Sequence, residues 1–333
     1  MDSAVDIQFM RRAVEFANMD AVRIALFQQT GDPEIAALPV AAKLDPEGRE
    51  LLIGKAVAWL GKHATNTRPT EPPLAELRKL MTMATGVEMT DLEFEARRDL
   101  PAFRPFPFAG AQWTNGKPTL PEGFRVAIIG SGISGIAAAV QCELLGLPYV
   151  VLERRSEPGG TWTINRYPDV RVDTHSIIYE YSFEKDYRWS EYFGRGADVR
   201  AYLDHVSRKY GVFDNTRFDR DVKQATFDEA RNIWTLRAET PNGVETIEAN
   251  VIISASGLFA NAKIPEFEGR ESFKGRIVHP SAWPADLDLA GKRVAIIGNG
   301  STGVQMLGSV ASIAEHVDVF QRTPQWISPR EKY

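Results

Sequence analysis

The stretch FRVAIIGSGISG, Phe124 to Gly135, constrains this chain more than any other. An apolar run ends at Ile129, and Gly130, Gly132 and Gly135 follow it as a G-x-G-x-x-G. Apolar residues then recur at helical spacing from Ile136 to Leu145, and a second β-rich run, Tyr149–Leu152, ends in Glu153. A lone glycine pattern says little, but strand, glycines, helix and strand-end acid together specify a dinucleotide-binding βαβ unit. Gly130 permits the tight turn, Gly132 lets the backbone approach a pyrophosphate, and Gly135 lets helix pack on strand. With Ser134, the start of the helix offers free N–H groups and a positive dipole end to phosphate. Glu153 stands about 20 residues past the glycines, where a carboxylate takes ribose hydroxyls.

A second copy of the signal lies downstream. KRVAIIGNGSTG places Gly298, Gly300 and Gly303 after an apolar strand, with Ser301, Thr302 and Gln305 on the helix that follows. The next strand, Val317–Phe320, ends in Gln321, Arg322 and Thr323, with no acid there. An arginine and a hydroxyl at that position suit a 2′-phosphate, which Glu153 would repel. The first site is therefore expected to take FAD and the second NADPH. A solvated strand-end arginine is the alternative for Arg322. Two such folds in one chain imply hydride transfer from nicotinamide to flavin. Disulfide reductases share the layout but need a cysteine pair, and this chain has one cysteine, Cys142.

The 333 residues allow two or three domains, and 44% hydrophobic with 25% charged residues is a globular composition. A net charge of −5 argues against nucleic acid or an anionic membrane as partner. No apolar run approaches the roughly 18 residues of a membrane span. The opening MDSAVDIQFMRR lacks the apolar core of a signal peptide, and with a single cysteine a cytoplasmic location is expected. The five histidines show no metal-ligand spacing, so no metal is expected.

Residues 1–115 read as an α-helical extension, with helical spacing over Ile7–Phe27, Glu50–Leu60 and Leu74–Met83. Pro101, Pro105, Pro107, Pro118 and Pro121 mark a linker at about 100–122. The expected role of the extension is packing, on its own chain or on a second subunit of a homodimer. Residues 116–265 read as the first part of the FAD fold, 266–290 as a linker, and 291–333 as the start of the NADP fold. The architecture is thus α/β: two Rossmann-like folds preceded by helices. Between them, Gly159, Gly160, Thr161 and Trp162 put flexible backbone beside an aromatic, which suits a flat ring. Residues 174–215 are rich in aromatics expected in the core. Residues 217–256 alternate as short strands, ending in Val251–Ser254, expected to return to the first sheet.

Phe273-x-Gly275-x-x-x-His279-x-x-x-Trp283-Pro284 resembles the fingerprint of type I Baeyer–Villiger monooxygenases, F-x-G-x-x-x-H-x-x-x-W-P. Gly160, Trp162, Tyr167, Pro168 and Asp173 match that family's longer signature, [A/G]-G-x-W-x-x-x-x-[F/Y]-P-[G/M]-x-x-x-D. Asp169 departs from it, Gly or Met being usual there, which leaves the loop's conformation open. The resemblance covers residues 124–333 with four motifs in order. The helical extension is similar to that of 4-hydroxyacetophenone monooxygenase-type members, which act on aryl ketones.

The resemblance implies an FAD- and NADPH-dependent enzyme that inserts one oxygen of O2 beside a ketone carbonyl through a flavin peroxide, giving an ester or lactone. It places Trp162, Asp173 and Tyr179 along the flavin, Asp173 close to the nicotinamide, and His279 in a supporting role in the linker. The family's pattern runs beyond Tyr333, and its peroxide-stabilising arginine lies in that further part. The chain therefore reads as the N-terminal half of such an enzyme, apparently truncated. The alternatives are an N- or S-oxygenating flavoprotein, or a nucleotide-binding protein without oxygenase activity.

Overall fold

The computed structural model describes residues 6–63, 70–101, 103, 110–185, 187–259 and 261–327. They fall into two compact units, Met1–Pro107 and Phe108–Tyr333. Pro105 and Pro107 of the expected linker lie outside the described residues.

The first unit consists of helices whose ends are set by their caps. These are α1 (Ile7–Phe16), α2 (Met19–Thr30), α3 (Pro33–Ala37), α4 (Pro46–Leu60), α5 (Leu74–Thr85) and α6 (Asp91–Arg97). The helical spacing over Ile7–Phe27 is not one helix. Ala17 is extended, and the Asn18 side chain accepts from the Ala21 N–H, starting α2 afresh. A short amide that can bond the backbone wins over continued periodicity here. Leu26, Phe27, Ile35, Leu52 and Ile53 form the core. Arg23, only 3% exposed, is buried with its guanidinium donating to Asp20 Oδ1 at 3.0 Å, Leu38 O at 2.8 Å, and Met83 O.

The second unit is built on a parallel sheet of β1 (Val126–Ile129), β2 (Tyr149–Leu152), β3 (Thr216–Arg217) and β7 (Val251–Ser254), in the order β3-β2-β1-β7. Helix α7 (Ile133–Leu145) joins β1 to β2. The last strand does return to the first sheet: Val126 pairs with Val251 and Ile129 with Ser254. An unbroken apolar run is what a strand covered on both faces needs. Strands β1 and β2 are of that kind, whereas β7, expected to be buried, is an edge of the sheet and only partly so, with Val251 40% exposed. One cover is an antiparallel meander, β4 (Asp221–Asp228), β5 (Ile233–Thr240) and β6 (Gly243–Ala249), whose Leu236 and Ile247 meet Ala127, Val150 and Leu152. The other is α7 with α9 (Gly196–Lys209), where Tyr181 and Tyr202 pack among Ile136, Val140 and Leu203. A one-turn helix, α8 (Thr161–Ile164), precedes α9. Trp113 donates to Leu145 O at 3.0 Å and Lys117 to Gly146 O at 2.6 Å, so this segment is tied to the C-terminal end of α7. A second parallel pair, β8 (Arg293–Ile297) and β9 (His316–Phe320), flanks α10 (Ser301–Ala311) in sequence. Among the described residues no helix is long and apolar enough to cross a membrane, and no cluster of three His, Cys, Asp or Glu could hold a metal.

Glu184 fastens α9. Its carboxylate accepts from Lys209 at 2.6 Å, His205 at 3.1 Å and Tyr210 at 3.1 Å, while its carbonyl accepts the buried Tyr202 hydroxyl at 2.8 Å. Burial raises the carboxyl's pKa, but these donors outweigh it and hold the value below the usual range. Glu184→Ala is expected to cost about 2 kcal/mol, seen as a lower urea midpoint. The stability Glu184 supplies is complete above the ordinary glutamate value of about 4.3 and is lost as pH falls through the lowered folded value. The gap between wild type and variant should therefore close in acid.

Candidate functional site

The first glycine cluster works as its spacing requires. Gly130 leaves β1 at φ 98°, a left-handed conformation that favours glycine, and a Cβ there would stand 2.7 Å from Ala255 O. A Cβ on Gly135 would stand 1.8 Å from Gly130 O, so helix and strand meet through bare backbone. Gly132 caps α7 without any side-chain bond, which leaves the first N–H groups of a 13-residue helix open.

Those N–H groups face a cavity of about 430 Å³. Gly130, Gly132, Ser134, Glu153, Gly160, Thr161, Trp162 and Tyr179, all expected from the sequence, line it. Trp162 is 9% exposed and meets Tyr179 edge to face, 5.6 Å between ring centres. The glycine pair folds down onto the first turn: Gly159 N–H donates to Ser131 O at 2.9 Å. A Cβ on Gly160 would stand 2.8 Å from Gly132 Cα, so two glycine backbones touch across the cavity wall.

Glu153 is buried at 5% exposure. Its Oε2 accepts from Ser131 N at 2.8 Å and Ser131 Oγ at 2.9 Å, and its Oε1 accepts from Arg155 N at 3.0 Å. A carboxylate offers about four acceptor positions. Three are spent orienting it, and one acceptor position remains at the cavity wall. Sequence reasoning missed the basic residues around this end. Arg154, Arg155, Arg220 and Lys223 line the cavity, the last two from the meander side. The doublet after Glu153 was a visible signal for the first pair; nothing local foretold the second.

The second glycine cluster repeats the turn. Gly298 has φ 107°, and a Cβ on Gly303 would stand 2.4 Å from Gly298 O. Gly300 caps α10 with no side-chain bond and open space around it. Arg322 and Thr323 are exposed beyond β9. Asn299, unmarked by sequence reasoning, shapes their loop by donating to Gln321 Oε1 at 2.7 Å and Thr323 O at 3.0 Å.

The two folds meet along one seam. Tyr167, 7% exposed, packs with Ile296, Met306 and Val310, and Trp283 joins them. The Tyr-Pro and Trp-Pro signatures thus converge on packing between the folds. Gln305 faces this seam with its amide bonded to Tyr167 Oη and the Arg171 backbone. Asp173 is exposed, and its Oδ2 accepts from Ser301 Oγ at 3.4 Å, at the start of α10. His279 is engaged in its own turn: Nδ1 lies 2.8 Å from Ser281 Oγ and accepts from Ser281 N at 3.2 Å, opening the 3-10 turn Pro280–Ala282. Neither Asp173 nor His279 lines the cavity.

Asp169 explains its own departure from the signature. Its φ is 62°, the left-handed region where glycine is usual and aspartate is tolerated. Its carboxylate pairs with Arg171, whose side chain is 11% exposed and also meets Glu191 at 2.9 Å. Asp169→Ala is expected to cost about 2 kcal/mol, half from backbone strain and half from the ion pair. Asp169→Gly, free of the strain, should fall between the two in a denaturant titration.

The flavin-binding monooxygenase-like family model matches residues 123–332. The chain belongs to that family. An uncharacterized monooxygenase of Sinorhizobium fredii is 32% identical to this flavin-binding monooxygenase-like chain over 96% of its length, the N-terminal helices included, and over 50% of the relative. A Baeyer–Villiger monooxygenase of Streptomyces coelicolor is 40% identical over 63% of this chain and 40% of the relative. A phenazine N-monooxygenase of Lysobacter antibioticus is 38% identical over 62% of this chain and 38% of the relative. Among solved structures, oxidized steroid monooxygenase bound to NADP matches with a TM-score of 0.58 at 37% identity, covering 63% of this chain and 40% of that one. A complex of OTEMO with FAD and NADP matches with a TM-score of 0.59 at 33% identity, covering 63% and 41%. These are parallel-sheet α/β structures of the same type as the second unit. The chain spans half or less of the length of these relatives.

Proposed function

We propose that the chain supplies the FAD and NADPH sites of a Baeyer–Villiger monooxygenase, which places one oxygen of O2 beside a ketone carbonyl. The observation that carries this reading is the cavity at the uncapped N-terminus of α7, bounded by Gly130, Gly132, Gly160 and Glu153. Its glycines leave room that any Cβ would fill, and its acid retains an acceptor position, so the residues present fit a dinucleotide with a flat ring. The first N–H groups of α7 would hold the pyrophosphate, Glu153 the ribose, and Trp162 with Tyr179 the ring end. Bound there, FAD supplies the redox chemistry that passes electrons from nicotinamide to O2.

The chain's own part is binding, orientation and exclusion of water. The start of α10 and Arg322 would hold NADPH by its pyrophosphate and 2′-phosphate. Asp173, whose carboxylate accepts from Ser301 Oγ at the start of α10, would offer its charge to a cationic group near the second site. His279 holds the turn that leads into Trp283. Domain assignments follow the same reading: residues 116–265 carry the FAD fold, 266–290 join it, and 291–333 begin the NADPH fold. A ketone, narrower still an aryl ketone, is the proposed substrate, and the helical extension a proposed dimer contact.

The test is anaerobic. FAD added to the chain should bind, and NADPH should then bleach its visible absorbance. Binding without bleaching, or no binding, would remove these roles from residues 1–333. The similar identity of an N-monooxygenase favours N-oxygenation as a second reading. Ester from a ketone supports the first; N-oxide from a heteroaromatic amine supports the second.

A further inference from the structure

We propose that Gln305 is a positioning residue: it fastens the second dinucleotide fold to the Tyr167–Asp173 segment of the first and so sets how a nicotinamide meets the flavin. The inference rests on the cofactor reading above for its functional half, and on contacts alone for its structural half.

One side-chain amide makes three bonds across the seam. Gln305 Oε1 accepts from Tyr167 Oη at 2.9 Å and from Arg171 N at 3.3 Å, and its Nε2 donates to Arg171 O at 3.0 Å. Both backbone groups of Arg171 are thus satisfied by one residue, as a neighbouring strand would satisfy them. A neutral amide carries both the donor and the acceptor that this takes. A carboxylate lacks the donor, and an aliphatic side chain lacks both groups. The surroundings make the bonds count: Tyr167, Ile296, Met306 and Val310 are all less than 9% exposed, and polar contacts in so dry a setting are strengthened.

The segment being held is itself stiff. Asp169 pins Arg171 from one side and Glu191 from the other, so a pull on Arg171 is not absorbed by its loop. The segment ends at Asp173, whose carboxylate lies 3.4 Å from Ser301 Oγ. Ser301 and Gln305 stand four residues apart on α10, on one face and one turn from each other. The first guards the uncapped N-terminus that would take the pyrophosphate; the second holds that turn against the first fold. With both lone pairs of Oε1 and one N–H already spent, Gln305 has little left for a nucleotide, which was its expected partner.

The test compares wild type with Gln305→Met, a variant of similar volume without polar atoms, and Gln305→Glu, which keeps only the acceptors. Hydrogen exchange is measured on the chain without nucleotide. Peptides covering 167–173 should exchange about tenfold faster in Gln305→Met, with β1 and α7 unchanged. With FAD bound, flavin reduction at saturating NADPH should slow about tenfold or more, because a misplaced donor costs rate steeply. The NADPH dissociation constant should stay within about threefold, and Gln305→Glu should recover part of the rate. A raised dissociation constant with an unchanged limiting rate would make Gln305 a nucleotide ligand and overturn the proposal. So would unchanged exchange, or faster exchange with an unchanged rate. If wild type binds FAD and is never reduced while Gln305→Met still loosens 167–173, the fastening stands and the cofactor reading is what failed.

Discussion

Gly135→Ala is expected to abolish FAD retention and to destabilise the second unit by about 3 kcal/mol, at the upper end of overpacking costs. A Cβ at this position would lie 1.8 Å from the Gly130 carbonyl oxygen, far inside contact distance. Neither side can yield. Gly130 is held by its amide bond to Leu152 O at 2.8 Å and by Ala255 against its other face. Helix α7 is held by Ile136, Ala139 and Val140, which are fully buried in the core. Relief requires the helix to back away from β1, which would carry its open N–H groups off the cavity. Two companions separate loss of site from loss of fold. A Cβ on Gly132 makes only ordinary contact, 3.5 Å from Gly160 Cα, at a φ of −77° that any residue adopts. Gly132→Ala should therefore keep its thermal midpoint yet lose about tenfold or more in FAD affinity, since the methyl occupies the pyrophosphate's approach. Gly300→Ala meets nothing within 4 Å and should leave both FAD affinity and stability unchanged. A Gly135→Ala protein that purifies yellow would refute the close-packing argument.

What was legible in the sequence was whatever a short stretch determines by itself. The glycine turns could be read because each needs a left-handed φ or a missing Cβ within a few residues. The return of Val251–Ser254 beside β1 could be read because a short unbroken apolar run suits a strand of a parallel sheet, though its place at the partly exposed edge could not. Contacts between distant stretches could not. Gly160 touching Gly132, and Gln305 reading both backbone groups of Arg171, depend on how loops fold back over helices. Residue type also misleads at such places. His279 drew attention as a chemical group, yet its nearest business is to open a turn by accepting from Ser281. Asp169 looked like a mismatch with the signature, and it stands at φ 62°, in the left-handed region that aspartate tolerates. Glu153 shows the middle case: its place was legible, while its three local donors, which leave one acceptor position, were not.

On the proposed cofactor assignment, Arg322→Ala should weaken NADPH binding about 10- to 100-fold while changing NADH binding less than about threefold. Charge-assisted bonds to a phosphate contribute about 1.5–3 kcal/mol, and 1.4 kcal/mol is a factor of ten. Arg322 is suited to this by what surrounds it. It follows β9 directly, it is exposed, and among the described residues no carboxylate lies within ion-pair distance of it. Asn299 fixes the loop on both sides of it by bonding Gln321 and Thr323, so little ordering remains to be done on binding. Because the site is exposed, the preference should shrink as salt rises, with NADPH losing affinity faster than NADH. The readout is a binding titration with NADP and NAD, which needs no turnover. Equal losses for both nucleotides would take Arg322 away from the 2′-phosphate. Lys in its place should restore part of the preference, since a point charge replaces the fork without its paired donors.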